Sequence, residues 1–139
     1  MIKEIVKDDE LLSQPCEKAT EQDAELVADL LDTLAANEEA AALSANQIGS
    51  PKSVVVYLDD NEQPRVMFNP VLKQALHPFK AVEACLSHDG EVEVKRFAWI
   101  NVSYDELVDG KLVPKKIKLQ GWTAQLVQHM IDHCKGKTI

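Results

Sequence analysis

Two histidines lie four residues apart in the stretch LVQHMIDHCKG at 126–136. On an α-helix, residues i and i+4 share one face, so His129 and His133 can direct two imidazoles toward a single metal ion. In the zinc-protease pattern H-E-x-x-H, a glutamate follows the first histidine and handles the protons. Here that position holds Met130. The stretch therefore predicts part of a metal site that lacks the usual carboxylate.

Such a site needs a third ligand, and Cys85 in the stretch VEACLSHDG is the best candidate. Two histidines and a cysteine, with a fourth position open to water, are typical of a catalytic metal centre, because structural zinc sites are usually closed by four protein ligands. The alternative is a metal-free helix with one core histidine and one surface histidine. Cys134 is predicted to be a small buried residue, and Cys16 a structural or inert residue in an N-terminal loop. His77 and His88 are predicted to be exposed.

Composition limits the classes of function. A chain of 139 residues fits one domain, 1–139, and is long enough to bury a core without disulfides. A net charge of −8, no basic stripe and 5% aromatic residues argue against nucleic-acid binding. No apolar run approaches the roughly 20 residues of a membrane span. Three widely spaced cysteines and no signal-peptide pattern predict a cytoplasmic protein.

Hydrophobic periodicity predicts the elements that carry these residues. TEQDAELVADLLDTLAAN is an amphipathic helix with Thr20 as its N-cap. Strands are predicted at SVVVYL, RVMFNP, GEVEVKRFAWINVSYDE and KLVPKKIKLQ. Pro70 should stop the second strand, Asp109-Gly110 should form a hairpin turn, and Pro114 should mark an edge or a bulge. GWTAQLVQHMIDHC returns to helical spacing. This order predicts an α+β fold with mainly antiparallel pairing.

Three segments together resemble the peptide deformylases, metallohydrolases that remove the formyl group from the N-terminal formyl-methionine of new polypeptides. The family motif G-x-G-L-A-A-x-Q followed by I-G matches AAALSANQIG at 40–49. The motif E-G-C-L-S matches EACLS at 83–87, and Q-H-E-x-D-H-L matches QHMIDHC at 128–134. The resemblance covers nearly the whole chain. It implies a single deformylase-like domain, with antiparallel sheets around a central helix that carries both histidines.

The resemblance also implies roles for individual residues. Cys85, His129 and His133 would bind one divalent metal, with Fe(II) the first choice and zinc or nickel able to substitute. The side-chain amide of Gln47 and the backbone N–H of Leu86 would hold the formyl oxygen as negative charge develops on it. Gln128 and Asp132 would lie in the shells around the ligands. The ligand of the cleft would be a peptide N-terminus carrying a formyl or another N-acyl group.

The chain departs from the family motifs around the cleft. Ala40, Ala42 and Ala84 replace three glycines, and their methyl groups would narrow the cleft. Trp122 and Gln125 stand where the family has aliphatic residues. A polar side chain in that pocket needs a hydrogen-bond partner, so we expect a changed preference for the substrate side chain. The residues predicted to form the substrate pocket are Ala40, Ala42, Trp122, Gln125 and Leu126.

Met130 is the largest departure, because the family glutamate takes a proton from the attacking water and delivers it to the leaving amine. A thioether does neither, so deformylation should be impaired or another N-acylated substrate preferred. The alternative is a catalytically silent, metal-containing protein that binds a peptide N-terminus or a partner, and a purely structural metal is a third reading. Glu83 and Glu91 flank the second motif and could replace the glutamate, although the resemblance gives Glu83 a supporting place instead.

Overall fold

The computed structural model describes residues 1–84 and 90–137. These residues form five strands and three α-helices: α1 Asp9–Leu12, α2 Glu25–Ala36, β1 Ala42–Ser44, β2 Val54–Leu58, β3 Pro64–Ala84, β4 Glu91–Val108, β5 Lys111–Gln120 and α3 Gly121–Cys134. Short 3-10 turns lie at Glu21–Asp23 and Ala45–Ile48. Within the described residues, no helix is long and apolar enough to cross a membrane.

The five strands form one sheet in the order β1-β2-β3-β4-β5, and every neighbouring pair is antiparallel. The predicted hairpin between β4 and β5 is confirmed, with positive φ angles of 50° at Asp109 and 80° at Gly110. Pro114 lies in β5, at the edge of the sheet, where a missing N–H is tolerated. The α+β architecture with antiparallel pairing is therefore as predicted.

The prediction that Pro70 ends a strand is wrong. Strand β3 continues through Pro70 to Ala84 and pairs along its length with β4. The register between these strands shifts between Phe68 and Val71, which is where the proline sits. A bulge accommodates a residue without an N–H, because the ladder is interrupted there anyway.

The two faces of the sheet bury two apolar clusters, because side chains alternate along β2. Val54 and Val56 pack with Leu30 and Leu34 of α2 on one face. Val55 packs with the buried side of α3 on the other. The predicted helix over 20–37 is divided, since a 3-10 turn capped by Thr20 precedes α2. The sheet thus separates α2 from the histidine helix.

Helix α3 is attached to distant parts of the chain at both ends. Near its start, the hydroxyl of Thr123 donates to Asp60 at 2.7 Å. After its end, Gly136 adopts a φ of +78° and donates its N–H to the carbonyl of His133, a typical left-handed helix cap. A Cβ at Gly136 would collide with the carbonyl oxygen of Ser13. These contacts fix the position of both histidines relative to the sheet.

Candidate active site

The two histidines of α3 converge on one point. Their Nε2 atoms are 3.1 Å apart, and the rings stack with centroids 4.9 Å apart and planes inclined by 17°. Two nitrogen ligands held about 2.1 Å from one tetrahedral ion lie roughly 3.4 Å apart. The pair therefore fits a shared metal. The alternative of one core and one surface histidine is wrong, because His129 is only 7% exposed and His133 is 0% exposed.

Two residues predicted to complete the site lie outside the described residues. They are Cys85, the predicted third ligand, and Leu86, the predicted backbone donor. Strand β3 ends at Ala84, immediately before this segment. No group of three metal-ligating side chains occurs within 1–84 and 90–137, so the ligand set and the two roles stay predictions. His88 also lies in the segment that is not described.

A buried ion pair lies behind His129. Arg96 donates from Nε to Glu83 Oε2 at 2.8 Å and from Nη2 to Glu83 Oε1 at 2.6 Å, a bidentate pair with both side chains 5% exposed. Glu83 Oε1 lies 3.7 Å from His129 Nδ1, the ring nitrogen opposite Nε2. Arg96 Nη1 also donates to Asp132 at 2.6 Å. Arg96 therefore links two carboxylates, that of Glu83 near His129 and that of Asp132 next to His133.

This pairing makes Glu83 a poor candidate for a general base. Burial acts to raise the pKa of Glu83, but hydrogen bonds from Arg96 and Gln125 outweigh burial and leave the pKa below its ordinary value. Both carboxylate oxygens are already hydrogen-bonded. A proton acceptor near neutral pH needs a raised pKa and an available oxygen. The supporting place expected for Glu83 agrees with these contacts.

The first motif supplies Gln47 from the 3-10 turn Ala45–Ile48. Its Oε1 accepts the backbone N–H of Ser44 at 3.0 Å, so the side-chain NH2 is the end that can donate to a ligand oxygen. The neighbouring Asn46 donates from Nδ2 to the backbone carbonyl of His133 at 3.0 Å. This buried bond fixes the turn that carries Gln47 against the end of the histidine helix.

A cavity of about 360 Å³ opens beside these groups. All five predicted pocket residues line it, together with Gln47, Glu83, His129 and Met130. Trp122 is 61% exposed and lies at the rim, whereas Leu126 is buried. Neither Ala40, Ala42 nor Ala84 has a positive φ. The backbone here therefore does not require glycine, and the alanines add methyl groups without strain.

Met130 belongs both to the cavity wall and to the apolar core. It is 3% exposed and packs in the cluster that contains Val55 and Val127. A carboxylate at this position would enter a largely apolar environment, which disfavours the charged form. The thioether is therefore compatible with the local packing, and it brings no group that titrates.

Two polar residues of α3 have clearer roles than the sequence indicated. Gln128 accepts the N–H of Phe97 at 2.9 Å and donates to its carbonyl at 2.8 Å, which joins α3 to β4. The side-chain hydrogen bonds of Gln128 within the described part of the chain reach backbone groups and neither imidazole. Asp132 forms an ion pair with Arg96, so it is not simply a charged residue on the solvent-exposed face of the helix.

Sequence reasoning missed Arg96 altogether. One signal for it was present in the alternating stretch VKRFAWI. Arg96 lies two residues before Ala98 and four before Ile100, so all three side chains point to the same face of β4. An arginine on a buried face needs a carboxylate partner. The register places Phe79 opposite Arg96, and Glu83 lies four residues further along β3, so only the side-chain contact in the folded protein identifies Glu83 as the partner.

Cys16, Cys134 and His77 agree with their predicted places. Cys134 is buried, and Cys16 is half-buried with its backbone N–H bonded to the carbonyl of Cys134 at 2.8 Å. A hydrogen bond to Cys134 and burial raise the pKa of the Cys16 thiol, which suits an inert residue. His77 is exposed, at a positive φ of 63° in β3.

The comparisons with known proteins agree with one another. The polypeptide deformylase family model matches residues 2–139. The peptide deformylase of Clostridium beijerinckii is 41% identical over 137 residues, covering 98% of this chain and 98% of that protein. The peptide deformylase of Aquifex aeolicus is 35% identical, covering 99% of this chain and 85% of that protein.

Solved structures give the same result for the fold. The crystal structure of peptide deformylase from Ehrlichia chaffeensis superposes with a TM-score of 0.86 and 28% identity, covering 99% of this chain and 86% of that one. The deformylase of the Vibrio parahaemolyticus bacteriophage VP16T, solved in complex with actinonin, gives a TM-score of 0.85 and 28% identity, covering 98% of this chain and 99% of that one.

Proposed function

Because this chain belongs to the peptide deformylase family, we propose that it hydrolyses the N-formyl group of a peptide N-terminus, at a low rate as the chain stands. The observation that carries the proposal is the convergence of two buried imidazoles, through Nε2 atoms 3.1 Å apart, beside a cavity that Gln47 also lines. A family of metal-dependent hydrolases needs such a pair to hold its ion.

His129 and His133 would hold the metal together with Cys85, with Fe(II) the first choice and zinc or nickel as substitutes. Such an ion, when bound, polarises a carbonyl oxygen and lowers the pKa of a coordinated water. Glu83 would orient His129 from the opposite side of the ring, although its oxygen lies 3.7 Å from Nδ1, slightly beyond hydrogen-bonding distance. Arg96 fixes that carboxylate and therefore acts on the site through Glu83.

Gln47 would donate its side-chain NH2 to the formyl oxygen as negative charge develops on that atom, together with the backbone N–H of Leu86. The orientation of Gln47 is set before substrate binds, because Ser44 already occupies its Oε1 at 3.0 Å. A donor fixed in advance needs no reorganisation during the reaction, and one such donor is typically worth about 10²–10³ in rate.

The low rate that we propose comes from the lack of a group for proton transfer. A proton must leave the attacking water and reach the departing amine, and in this family the residue at the position of Met130 does both. The methionine cannot, and Glu83 is already bound on both oxygens by Arg96. General acid–base assistance is commonly worth about 10²–10⁴ in rate. We therefore assign slow deformylation to the wild-type chain.

The test is formate release from a formyl-methionyl tripeptide by protein purified and loaded with Fe(II) without oxygen. We expect slow turnover by the wild type and none by His133→Ala, which removes a metal ligand. His77→Ala, at an exposed histidine of β3, is the matched control and should equal the wild type. Formate release no faster than that of His133→Ala would refute the proposed activity and favour the silent binder.

A further inference from the structure

Gln125 is a polar side chain in the wall of the cavity. It lies one helical turn before His129 on the same face of α3 and lines the cavity. Its Nε2 donates to Glu83 Oε2 at 2.9 Å. A polar residue at this position needs a hydrogen-bond partner. That partner is the carboxylate of Glu83.

This contact fixes the orientation of the Gln125 amide. Arg96 donates a hydrogen bond to each oxygen of Glu83, so the carboxylate can only accept from Gln125. The NH2 end of Gln125 must then be the one turned toward Glu83, and the carbonyl Oε1 is the other end. Within residues 1–84 and 90–137, no hydrogen bond is donated to this Oε1. Gln125 thus offers a fixed acceptor.

The wall around this acceptor is mainly apolar. Alanines 40–42, Val82 and Leu126 line the same cavity. The other amide of the wall, Gln47, turns its own oxygen to Ser44. A wholly apolar side chain placed against Gln125 would displace water from Oε1 without replacing its hydrogen bond, and leaving a polar group unsatisfied in this way is unfavourable.

We propose that the pocket selects N-formyl peptides whose first side chain has about the length of methionine and carries a neutral hydrogen-bond donor, as the amide of glutamine does. This inference rests on the proposed function for the identity of the N-terminal group. The donor would bind Gln125 Oε1, while the methylene groups would pack on Leu126 and the alanines. A neutral donor suffices for an amide oxygen, and both oxygens of Glu83 already accept hydrogen bonds from Arg96.

The test compares two tripeptides that differ only in the first residue, formyl-glutaminyl and formyl-norleucyl, by calorimetry on zinc-loaded protein. Zinc is chosen because it has no redox chemistry. A net neutral hydrogen bond predicts that the glutaminyl peptide binds about three- to tenfold more tightly. An apolar pocket would give the opposite order, because norleucine buries more apolar surface. The same binding, or weaker, for the glutaminyl peptide overturns the inference, as does binding of neither.

A matched pair of variants shows whether Gln125 is the cause. Gln125→Met keeps the length but removes the acceptor, and should reverse the order in favour of norleucine. Gln74→Met makes the same change at an exposed position of β3, outside the cavity, and should keep the wild-type order. An unchanged order in a folded Gln125→Met overturns the inference. If Gln125→Met does not fold, the wild-type order alone decides. Formate release is measured separately on the same variants loaded with Fe(II). The expected binding order without any turnover by the Fe(II)-loaded protein would refute the proposed activity and leave the specificity supported.

Discussion

Replacing Met130 by glutamate introduces a carboxylate at the position that the proposed function assigns to the acid–base group. The side chain lines the cavity beside His129, and Met and Glu have similar lengths and helix propensities. The new carboxylate would therefore lie at the wall of the cavity that Gln47 and His129 also line. If proton transfer is the main defect, Met130→Glu should deformylate a formyl-methionyl peptide faster than the wild type.

The size of the effect follows from two opposing terms. General acid–base assistance contributes about 10²–10⁴ in rate, or about 2.7–5.4 kcal/mol of the barrier at 1.36 kcal/mol per factor of ten. Against this, Met130 is 3% exposed and packs in an apolar cluster, so the new charge is poorly solvated. Burial raises the pKa of such a carboxyl, which brings it toward the range useful for catalysis but lowers stability. We expect at least a tenfold rise in kcat/KM and a lower Tm.

The assay is formate release by Fe(II)-loaded protein, with metal content measured on each sample. Met130→Gln is the matched control, because it has the shape and polarity of glutamate but accepts no proton near neutral pH. Met130→Glu should be at least tenfold faster than both the wild type and Met130→Gln. Equal rates for the Glu and Gln variants would refute the proton-transfer argument. A wild type that turns over as fast as Met130→Glu would show that another base acts and that our interpretation of Met130 is wrong.

Three further predictions concern the metal ligand Cys85, the ion pair of Arg96 with Glu83, and the pH dependence of stability. Cys85→Ser should lose most of the bound metal in elemental analysis, whereas Cys16→Ser should keep it; full metal content in Cys85→Ser would contradict the ligand assignment. Arg96→Met should lower the free energy of unfolding by about 3–5 kcal/mol in denaturant titrations, because it leaves Glu83 buried without its cation. Arg65→Met, which breaks the exposed pair with Asp59, should cause a much smaller loss. The pKa of Glu83 lies below its ordinary value, so its contribution to stability is complete above about pH 4.3 and disappears as the pH falls through the lowered value. This acid-sensitive part should be absent in Arg96→Met, and an unchanged pH dependence would contradict that assignment.

Local signals predicted the elements that depend on a few neighbouring residues. The Asp109-Gly110 turn, the Thr20 cap and the helical spacing of the two histidines each rest on contacts within about four residues. The path of β3 beyond Pro70 could not be obtained in this way, because only its pairing with β4 reveals that a bulge accommodates the proline.

The same limit applies to the site. The convergence of His129 and His133 follows from helix geometry, and the pocket residues follow from matching motifs. The bond from Gln125 to Glu83 joins residues 42 positions apart, and the bond from Arg96 to Asp132 joins residues 36 positions apart. No periodicity within one element indicates such partners. They follow from the antiparallel register and the docking of α3, which are properties of the whole fold.

The buried bond from Asn46 to the carbonyl of His133 has a consequence for folding kinetics. It spans 87 residues, and closing so long a loop carries an entropic penalty before the contact provides any compensation. We therefore expect the turn that holds Gln47 and the helix that holds the histidines to meet late in folding, after strands β2 to β5, which lie between them in the sequence, have paired. A chain whose α3 has not docked presents two histidines to a metal but no oriented amide beside them. Metal bound at that stage should exchange readily, and tight retention should begin only when the helix end is fixed against Asn46.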